Sequence, residues 1–157
     1  MLCMPSHEVL ALYRAALAAG VRLWVDGGWC VDALVGEQTR EHDDLDVAVD
    51  RDDLDLLVGV LNTAGYRRQS TEGSTDWNFV MVDDMGRQVD IHVFHFDSSG
   101  RHVYGVEYPR ESLQGNGVID GEQVQCITAR SMYRFKTTYE PAAKDRADIS
   151  QLHGLIP

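Results

Sequence analysis

Two aspartates separated by one apolar residue, Asp44-Leu45-Asp46, begin a segment that predicts a β-strand over Leu45–Val49. Because side chains alternate across a strand, Asp44 and Asp46 project from one face while Leu45 projects from the other, toward a core. Two ionised carboxylates this close repel each other unless a cation lies between them. The pattern therefore predicts a divalent-metal site on one face of a sheet; the alternative, since Asp-x-Asp is short and common, is a solvated strand in an acidic surface.

Two other segments favour the metal site. Gly27-Gly28-Trp29 leaves a strand predicted over Val21–Val25 and opens a helix predicted over Trp29–Val35, and glycines at a helix N-terminus let a phosphate approach the backbone. Asp90 stands inside another predicted strand, Gln88–Phe94, where an acid is unfavourable unless something compensates. A third carboxylate beside the pair can hold a second metal ion or take a proton from an attacking hydroxyl, which suits an in-line phosphoryl displacement.

The order of the remaining elements predicts an α+β (mixed α/β) fold, with a mixed sheet flanked by helices and helices at the C-terminus. The chain has 157 residues, which predicts one domain over 1–157. A first helix is expected to be capped by Ser6 and to end at Gly20. The other predicted elements are a helix over Arg51–Ala64, a strand over Trp77–Val82, a hairpin over Val118–Ile127 that turns at Asp120-Gly121, and helices over Ala129–Tyr139 and Ala142–Leu152.

Charge and composition restrict the partners. The net charge of −11 makes nucleic acid a poor partner, because such binding depends on Lys and Arg meeting phosphates. The same charge attracts divalent cations and cationic small molecules. No apolar run approaches the roughly 20 residues that a membrane helix needs. Residues Met1–Pro5 lack the features of a signal peptide, and three cysteines without a CxxC spacing indicate no disulfide framework, so a cytoplasmic location is expected.

A longer pattern surrounds the glycines and the aspartate pair. It runs Trp24-Val25-Asp26-Gly27-Gly28-Trp29-Cys30-Val31-Asp32-Ala33-Leu34, then Thr39-Arg40-Glu41-His42-Asp43-Asp44-Leu45-Asp46, and extends through Asp90-Ile91-His92 and Lys144-Asp145-x-x-Asp148. This pattern resembles the lincosamide nucleotidyltransferase family, small antibiotic nucleotidyltransferases of the DNA-polymerase-β-like superfamily. The resemblance implies the nucleotidyltransferase fold and a Mg²⁺-dependent enzyme that transfers AMP from ATP, or NMP from another NTP, to a hydroxyl of an antibiotic. It also implies a homodimer.

The resemblance implies roles for particular residues. Asp44 and Asp46 would bind the metal that holds the nucleotide triphosphate, and Asp90 would be a further metal ligand, the general base toward the acceptor hydroxyl, or both. Gly27, Gly28, Arg40 and His42 would lie on the phosphate side. Lys136 and Lys144, the only lysines of an acidic chain, are candidates to neutralise phosphate charge, with solvated helix lysines as the alternative. The candidates for acceptor binding are His92, Tyr104, Glu107 and Tyr108, with a structural role as the alternative for each.

The acceptor class is predicted from the segment 99–119, which holds tyrosines and aliphatic residues but only Glu107 and Glu111 as acids. A polycationic aminoglycoside would need several carboxylates in contact, because each amine buried without a partner is costly. A lincosamide, with one amine and an apolar part, fits this composition better. Three alternatives stay open: an aminoglycoside nucleotidyltransferase, a toxin–antitoxin-type nucleotidyltransferase that modifies protein or RNA, and a nucleotide-binding module without turnover.

Overall fold

An eight-stranded mixed sheet forms the centre of the computed structural model, which describes residues 3–156. Met1, Leu2 and Pro157, which belong to the predicted N-terminal segment and domain range, lie outside the described residues. The helices and strands in chain order are α1 Ser6–Ala18, β1 Leu23–Asp26, α2 Gly27–Val35, β2 Asp44–Asp50, α3 Leu54–Thr63, β3 Arg67–Gln69, β4 Asn78–Val82, β5 Gln88–Phe96, β6 His102–Gly105, β7 Gly115–Ile119, β8 Glu122–Cys126, α4 Ala129–Thr137 and α5 Ala143–His153.

The strand order is β3-β4-β5-β2-β1-β8-β7, and β6 pairs with β5 beyond the end of β4. At the centre β2 runs parallel to β5 and antiparallel to β1. Leu45, Val47 and Val49 of β2 are buried, as are Ile91 and Val93 of β5, so one face of these strands belongs to the core. Helix α2 packs against β1, β2, β7 and the two C-terminal helices. This architecture confirms the predicted mixed α/β class.

Most predicted elements are present, with shifted ends. The turn predicted at Asp120-Gly121 joins β7 to β8, and both residues have a positive φ, 47° and 81°. The predicted cap of α1 is wrong: Ser6 is already the first helical residue, Pro5 occupies the cap position, and no side chain within the described residues caps the helix. No helix in residues 3–156 is both long and apolar enough to cross a membrane.

Two strands were not predicted. The side chains of β3 are all exposed, so this short edge strand carries no hydrophobic alternation. The pairing of β6 with β5 is irregular at His95 and Phe96, and β6 ends at Gly105, whose φ is 76°. Each strand pairs with the strand next to it along the chain, β3 with β4 and β6 with β5, but a strand depends on such cross-strand contacts and its own residues need not show a β pattern.

Candidate active site

The register between β2 and β5 brings three carboxylates together. Asp46 lies directly opposite Asp90 in the parallel pair, and Asp44 lies two residues earlier on the same face of β2. One carboxylate oxygen of each residue lies within 4.8 Å of one from each of the other two. The sheet therefore builds the triad that the sequence predicts from two strands more than 40 residues apart in the chain.

The triad is electrostatically unfavourable in the absence of a cation. Burial, followed by repulsion from Asp90, raises the pKa of Asp44 from 3.8 to about 6. Burial and neighbouring carboxylates likewise raise the pKa of Asp46 and that of Asp90. Hard divalent cations such as Mg²⁺ take oxygen ligands, usually one or two carboxylates together with water and phosphate. The donor set and its crowded negative charge therefore fit a divalent metal ion.

The turn from β1 into α2 lies against the triad. Asp26 pairs across the sheet with Asp46, and its Oδ1 accepts a hydrogen bond of 2.8 Å from the backbone N–H of Gly27 at the start of α2. Gly27 has a φ of 61°, which favours glycine, and a Cβ at this position would overlap the carboxylate of Asp46. Only glycine lets the helix begin this close to the triad.

Two cationic or polar side chains lie over Gly28, the second residue of α2. A Cβ on Gly28 would be 2.5 Å from Nη2 of Arg40 and 2.5 Å from Nδ1 of His42. Both side chains can therefore occupy these positions only because residue 28 has no side chain. His42 is buried, packs against Trp29 with ring centroids 4.7 Å apart, and places Nε2 2.6 Å from Asp32. A helix N-terminus beside a guanidinium favours an anion at this place.

The two lysines reach the same cavity from the C-terminal helices. Lys136 of α4 is buried, and its Nζ lies 3.3 Å from Asp145 and 3.3 Å from Asp148, both on α5. Burial acts to lower the pKa of Lys136, but the two carboxylates outweigh it and raise that pKa. Lys144 is exposed, lines the cavity, and its charge acts to lower the pKa of Asp44. Both lysine side chains therefore line the cavity that holds the triad.

A cavity of about 450 Å³ joins these groups to an apolar wall. Of the predicted acceptor residues, it is lined by His92, Glu107 and Tyr108. Tyr108 is buried and donates a 2.6 Å hydrogen bond to Asp26, and Glu107 is exposed. The predicted residues that the cavity brings together are Gly27, Gly28, Arg40, His42, Asp44, Asp46, Asp90, His92, Glu107, Tyr108, Lys136 and Lys144.

One expectation about this site is corrected. Tyr104 of β6 is not brought to the cavity. It pairs with His95 of β5, which contacts Asp50 at the other end of β2, and the ring of Tyr104 lies 5.0 Å from the guanidinium of Arg51. His92, two residues after Asp90 on β5, contacts Asp46 of the neighbouring strand at 3.3 Å. Burial acts to lower the pKa of His92, but the hydrogen bond to Asp46, together with the charges of the neighbouring carboxylates, outweighs it and raises that pKa.

Several residues in and around the cavity were not predicted. Asp26 could have been found, because an acid directly before a glycine pair at a helix start is a typical N-cap. Asp148 was matched only as part of the C-terminal pattern, and nothing local shows that it contacts Arg40. The apolar lining was also missed, because helix residues facing a cavity have the same spacing as core residues. It consists of Val106, Met132, Phe135 and Tyr139.

Comparison with known proteins gives a consistent result. The sequence model of the family described as Aminoglycoside-2''-adenylyltransferase matches residues 7–152. A lincosamide resistance protein from Staphylococcus haemolyticus is 24% identical over 147 residues, 86% of this chain and 86% of its own. The fold is similar to lincosamide antibiotic adenylyltransferase LnuA, solved with lincomycin bound, at a TM-score of 0.85 and 20% identity over 99% of this chain and 100% of that one.

A second solved structure has the same fold. ANT(2'')-Ia in complex with adenylyl-2''-tobramycin gives a TM-score of 0.79 at 20% identity, covering 97% of this chain and 89% of that one. The findings confirm the predicted antibiotic nucleotidyltransferase family, its fold, and the expectation that the chain is an enzyme of this kind. Since the family match spans nearly the whole sequence, the chain belongs to the aminoglycoside-2''-adenylyltransferase family of nucleotidyltransferases.

Proposed function

We propose that this enzyme transfers AMP from Mg²⁺-bound ATP to a hydroxyl of a lincosamide antibiotic. The observation that carries the chemistry is the triad of Asp44, Asp46 and Asp90, whose carboxylate oxygens lie within 4.8 Å of one another beside the N-terminus of α2. A nucleotidyl transfer needs this juxtaposition of a metal site, a phosphate site and a base. The family match supports the reaction class.

In this proposal Asp44 and Asp46 hold Mg²⁺, which when bound offsets negative charge on the triphosphate. The acceptor hydroxyl oxygen forms a bond to the α-phosphorus, the bond to the bridging oxygen breaks, and pyrophosphate leaves. Asp90 takes the hydroxyl proton; burial raises the pKa of this carboxyl, which strengthens it as a base. Asp90 also lies close enough to the pair to share in holding the metal.

The phosphate side is assigned to the N-terminus of α2 and the cations around it. Gly28 has no side chain, so Arg40 and His42 lie directly over the start of α2, and the guanidinium stands beside a helix N-terminus, which favours an anion such as phosphate. Lys136 and Lys144 line the same cavity and add positive charge. Fixed cations at the place where pyrophosphate departs stabilise the charge that develops on it in the transition state.

The acceptor class follows from the charges that remain. Of the carboxylates lining the cavity outside the triad, Asp26 accepts from Tyr108 and Asp145 is paired with Lys136. That leaves Glu107 and the exposed Asp43 as acids for a cationic acceptor, beside an apolar wall. One amine and an apolar group suit this lining better than several amines do, because each buried amine needs a partner. A lincosamide is therefore proposed first; the family description favours an aminoglycoside as the second candidate.

A competition assay tests this choice. Purified enzyme with Mg²⁺ and an ATP, GTP, CTP and UTP panel is offered lincomycin, clindamycin and kanamycin together, and products are identified by mass spectrometry. We expect adenylylated lincosamides. Modification of kanamycin with neither lincosamide changed would establish the second candidate in its place. A tRNA and a protein-extract arm test the toxin–antitoxin-type alternative, which the net charge of −11 disfavours for RNA.

The assembly and location implied by the sequence also belong to this proposal. We expect a homodimer, which light scattering on the purified chain tests. The cytoplasmic location expected from the cysteine usage is where ATP is abundant, and fractionation of the native host tests it.

A further inference from the structure

One buried carboxylate connects two cations of the cavity. Asp148 on α5 is 1% exposed; its Oδ1 accepts from Nε of Arg40 at 3.0 Å and its Oδ2 accepts from Nη2 at 2.9 Å. The same Oδ2 lies 3.3 Å from Nζ of Lys136. Asp148 thereby connects the segment before β2, helix α4 and helix α5 at a single point beside the phosphate side of the cavity.

The arrangement leaves the guanidinium able to donate further. Arg40 also donates from Nη1 to the carbonyl of Glu41 at 3.1 Å, so these bonds use three of the five N–H groups of the guanidinium. The remaining donors are on Nη1 and Nη2, and Nη2 is the atom that lies over Gly28. Asp148 therefore fixes one edge of Arg40 while the atoms over the start of α2 keep free hydrogens.

By charge alone, a carboxylate at this place is unfavourable for an anion site. It would reduce the attraction of Arg40 and Lys136 for phosphate. The carboxylate instead holds the two cations in position, because cations near each other repel unless an anion lies between them. Cations that are already in position need no rearrangement when charge develops on a substrate.

We infer that Asp148 is a positioning residue, which sets Arg40 over the N-terminus of α2 and holds Lys136 beside it before a nucleotide triphosphate binds. This inference rests on the proposed function. It assigns the C-terminal helix a part in nucleotide recognition, through one side chain that does not itself touch the nucleotide.

The same helix supplies a matched comparison. Asp145 lies one turn before Asp148, also contacts Lys136, and accepts from the backbone N–H of Ala142 at 3.1 Å. Asp145 does not contact Arg40 among its hydrogen bonds within residues 3–156. Removing either carboxylate disturbs Lys136, but only Asp148 acts through Arg40.

A thermodynamic cycle tests the inference without an acceptor. Binding of Mg²⁺ with α,β-methylene-ATP, which cannot be cleaved at the reacting bond, is measured by titration calorimetry. Arg40→Lys is placed in the wild-type, Asp148→Asn and Asp145→Asn backgrounds; it keeps the charge but loses the two-pronged geometry. We expect Arg40→Lys to weaken binding about tenfold in the wild-type and Asp145→Asn backgrounds but less than about twofold in Asp148→Asn.

An equal loss in all three backgrounds would overturn the inference, as would an effect of Arg40→Lys that vanishes in both aspartate variants, since that indicates general loosening of α5. Thermal unfolding checks that each variant folds. If Asp148→Asn does not fold, a crystal structure of the wild type with the same analogue tests the inference instead. An Arg40–Asp148 pair that stays intact beside the phosphates supports the inference, and a broken pair refutes it. A chain that shows the expected cycle but modifies no antibiotic refutes the proposed function alone, and a chain that binds no nucleotide refutes both.

Discussion

Asp44→Asn is predicted to stabilise the protein in EDTA while removing its response to Mg²⁺. The pKa of Asp44 is raised from 3.8 to about 6 by burial and by Asp90, so the folded state binds this proton more tightly than the unfolded state does. Stability is therefore lost as the pH rises from about 4 to about 6, and the loss persists above that range. Asparagine carries no charge and avoids the loss.

The magnitude follows from the size of the shift. Two pKa units correspond to about 3 kcal/mol, and solvent in the open cavity reduces this to roughly 1–3 kcal/mol. In EDTA at pH 8, Asp44→Asn should exceed the wild type in free energy of unfolding by that amount, and the difference should shrink toward pH 4. Mg²⁺ should stabilise the wild type at pH 8 and have little effect on the variant.

Urea unfolding at pH 4, 6 and 8, with EDTA or with Mg²⁺, measures both effects. Asp55→Asn is the matched control, because Asp55 is an exposed acid in the first turn of α3 and does not line the cavity. The control should lack the gain and keep the Mg²⁺ response. An Asp44→Asn protein that is less stable than the wild type in EDTA, or that keeps the full response to Mg²⁺, would refute the reasoning.

Three further predictions concern the other parts of the site. Asp90→Asn should slow transfer on the order of 10²–10⁴-fold while Mg²⁺–ATP binding, measured by calorimetry, changes little; lost binding would make Asp90 chiefly a metal ligand. Gly28→Ala should weaken binding of Mg²⁺ with α,β-methylene-ATP by at least about tenfold, because the methyl group would lie 2.5 Å from the buried ring of His42, and unchanged affinity would contradict the phosphate site. Glu107→Gln should raise KM for lincomycin about tenfold with kcat nearly unchanged, because one charge-assisted hydrogen bond to the acceptor is lost. An unchanged KM would remove Glu107 from the acceptor site.

The composition of the triad could be predicted, but its assembly could not. Alternation along a strand places Asp44 and Asp46 on one face, and an acid amid aliphatic residues singles out Asp90. The position of Asp90 directly opposite Asp46 depends on the parallel register of β2 with β5, which is set by packing across the whole sheet. The same limit explains His92, whose contact with Asp46 crosses between strands.

Contacts between residues far apart in the chain could not be predicted from the sequence. Asp148 is 108 residues from Arg40, and a helix acid with apolar and polar neighbours has no local sign of a buried ion pair. Tyr104 was grouped with Tyr108 because the two are close in sequence. The pairing of β6 with β5 carries Tyr104 away, whereas Tyr108 reaches Asp26.

The central claim, that the carboxylates on β2 and β5 perform nucleotidyl transfer to a lincosamide, is tested most directly by one mass measurement. Wild type and Asp46→Asn are incubated with lincomycin, ATP and Mg²⁺, and the molecular mass of the antibiotic is measured by mass spectrometry. We expect the wild type to add one adenylyl group to lincomycin with release of pyrophosphate. We expect Asp46→Asn, shown to be folded by its thermal unfolding curve, to add none at equal enzyme concentration. Turnover by Asp46→Asn above about a tenth of the wild-type rate, a barrier change under about 1.4 kcal/mol, would contradict it.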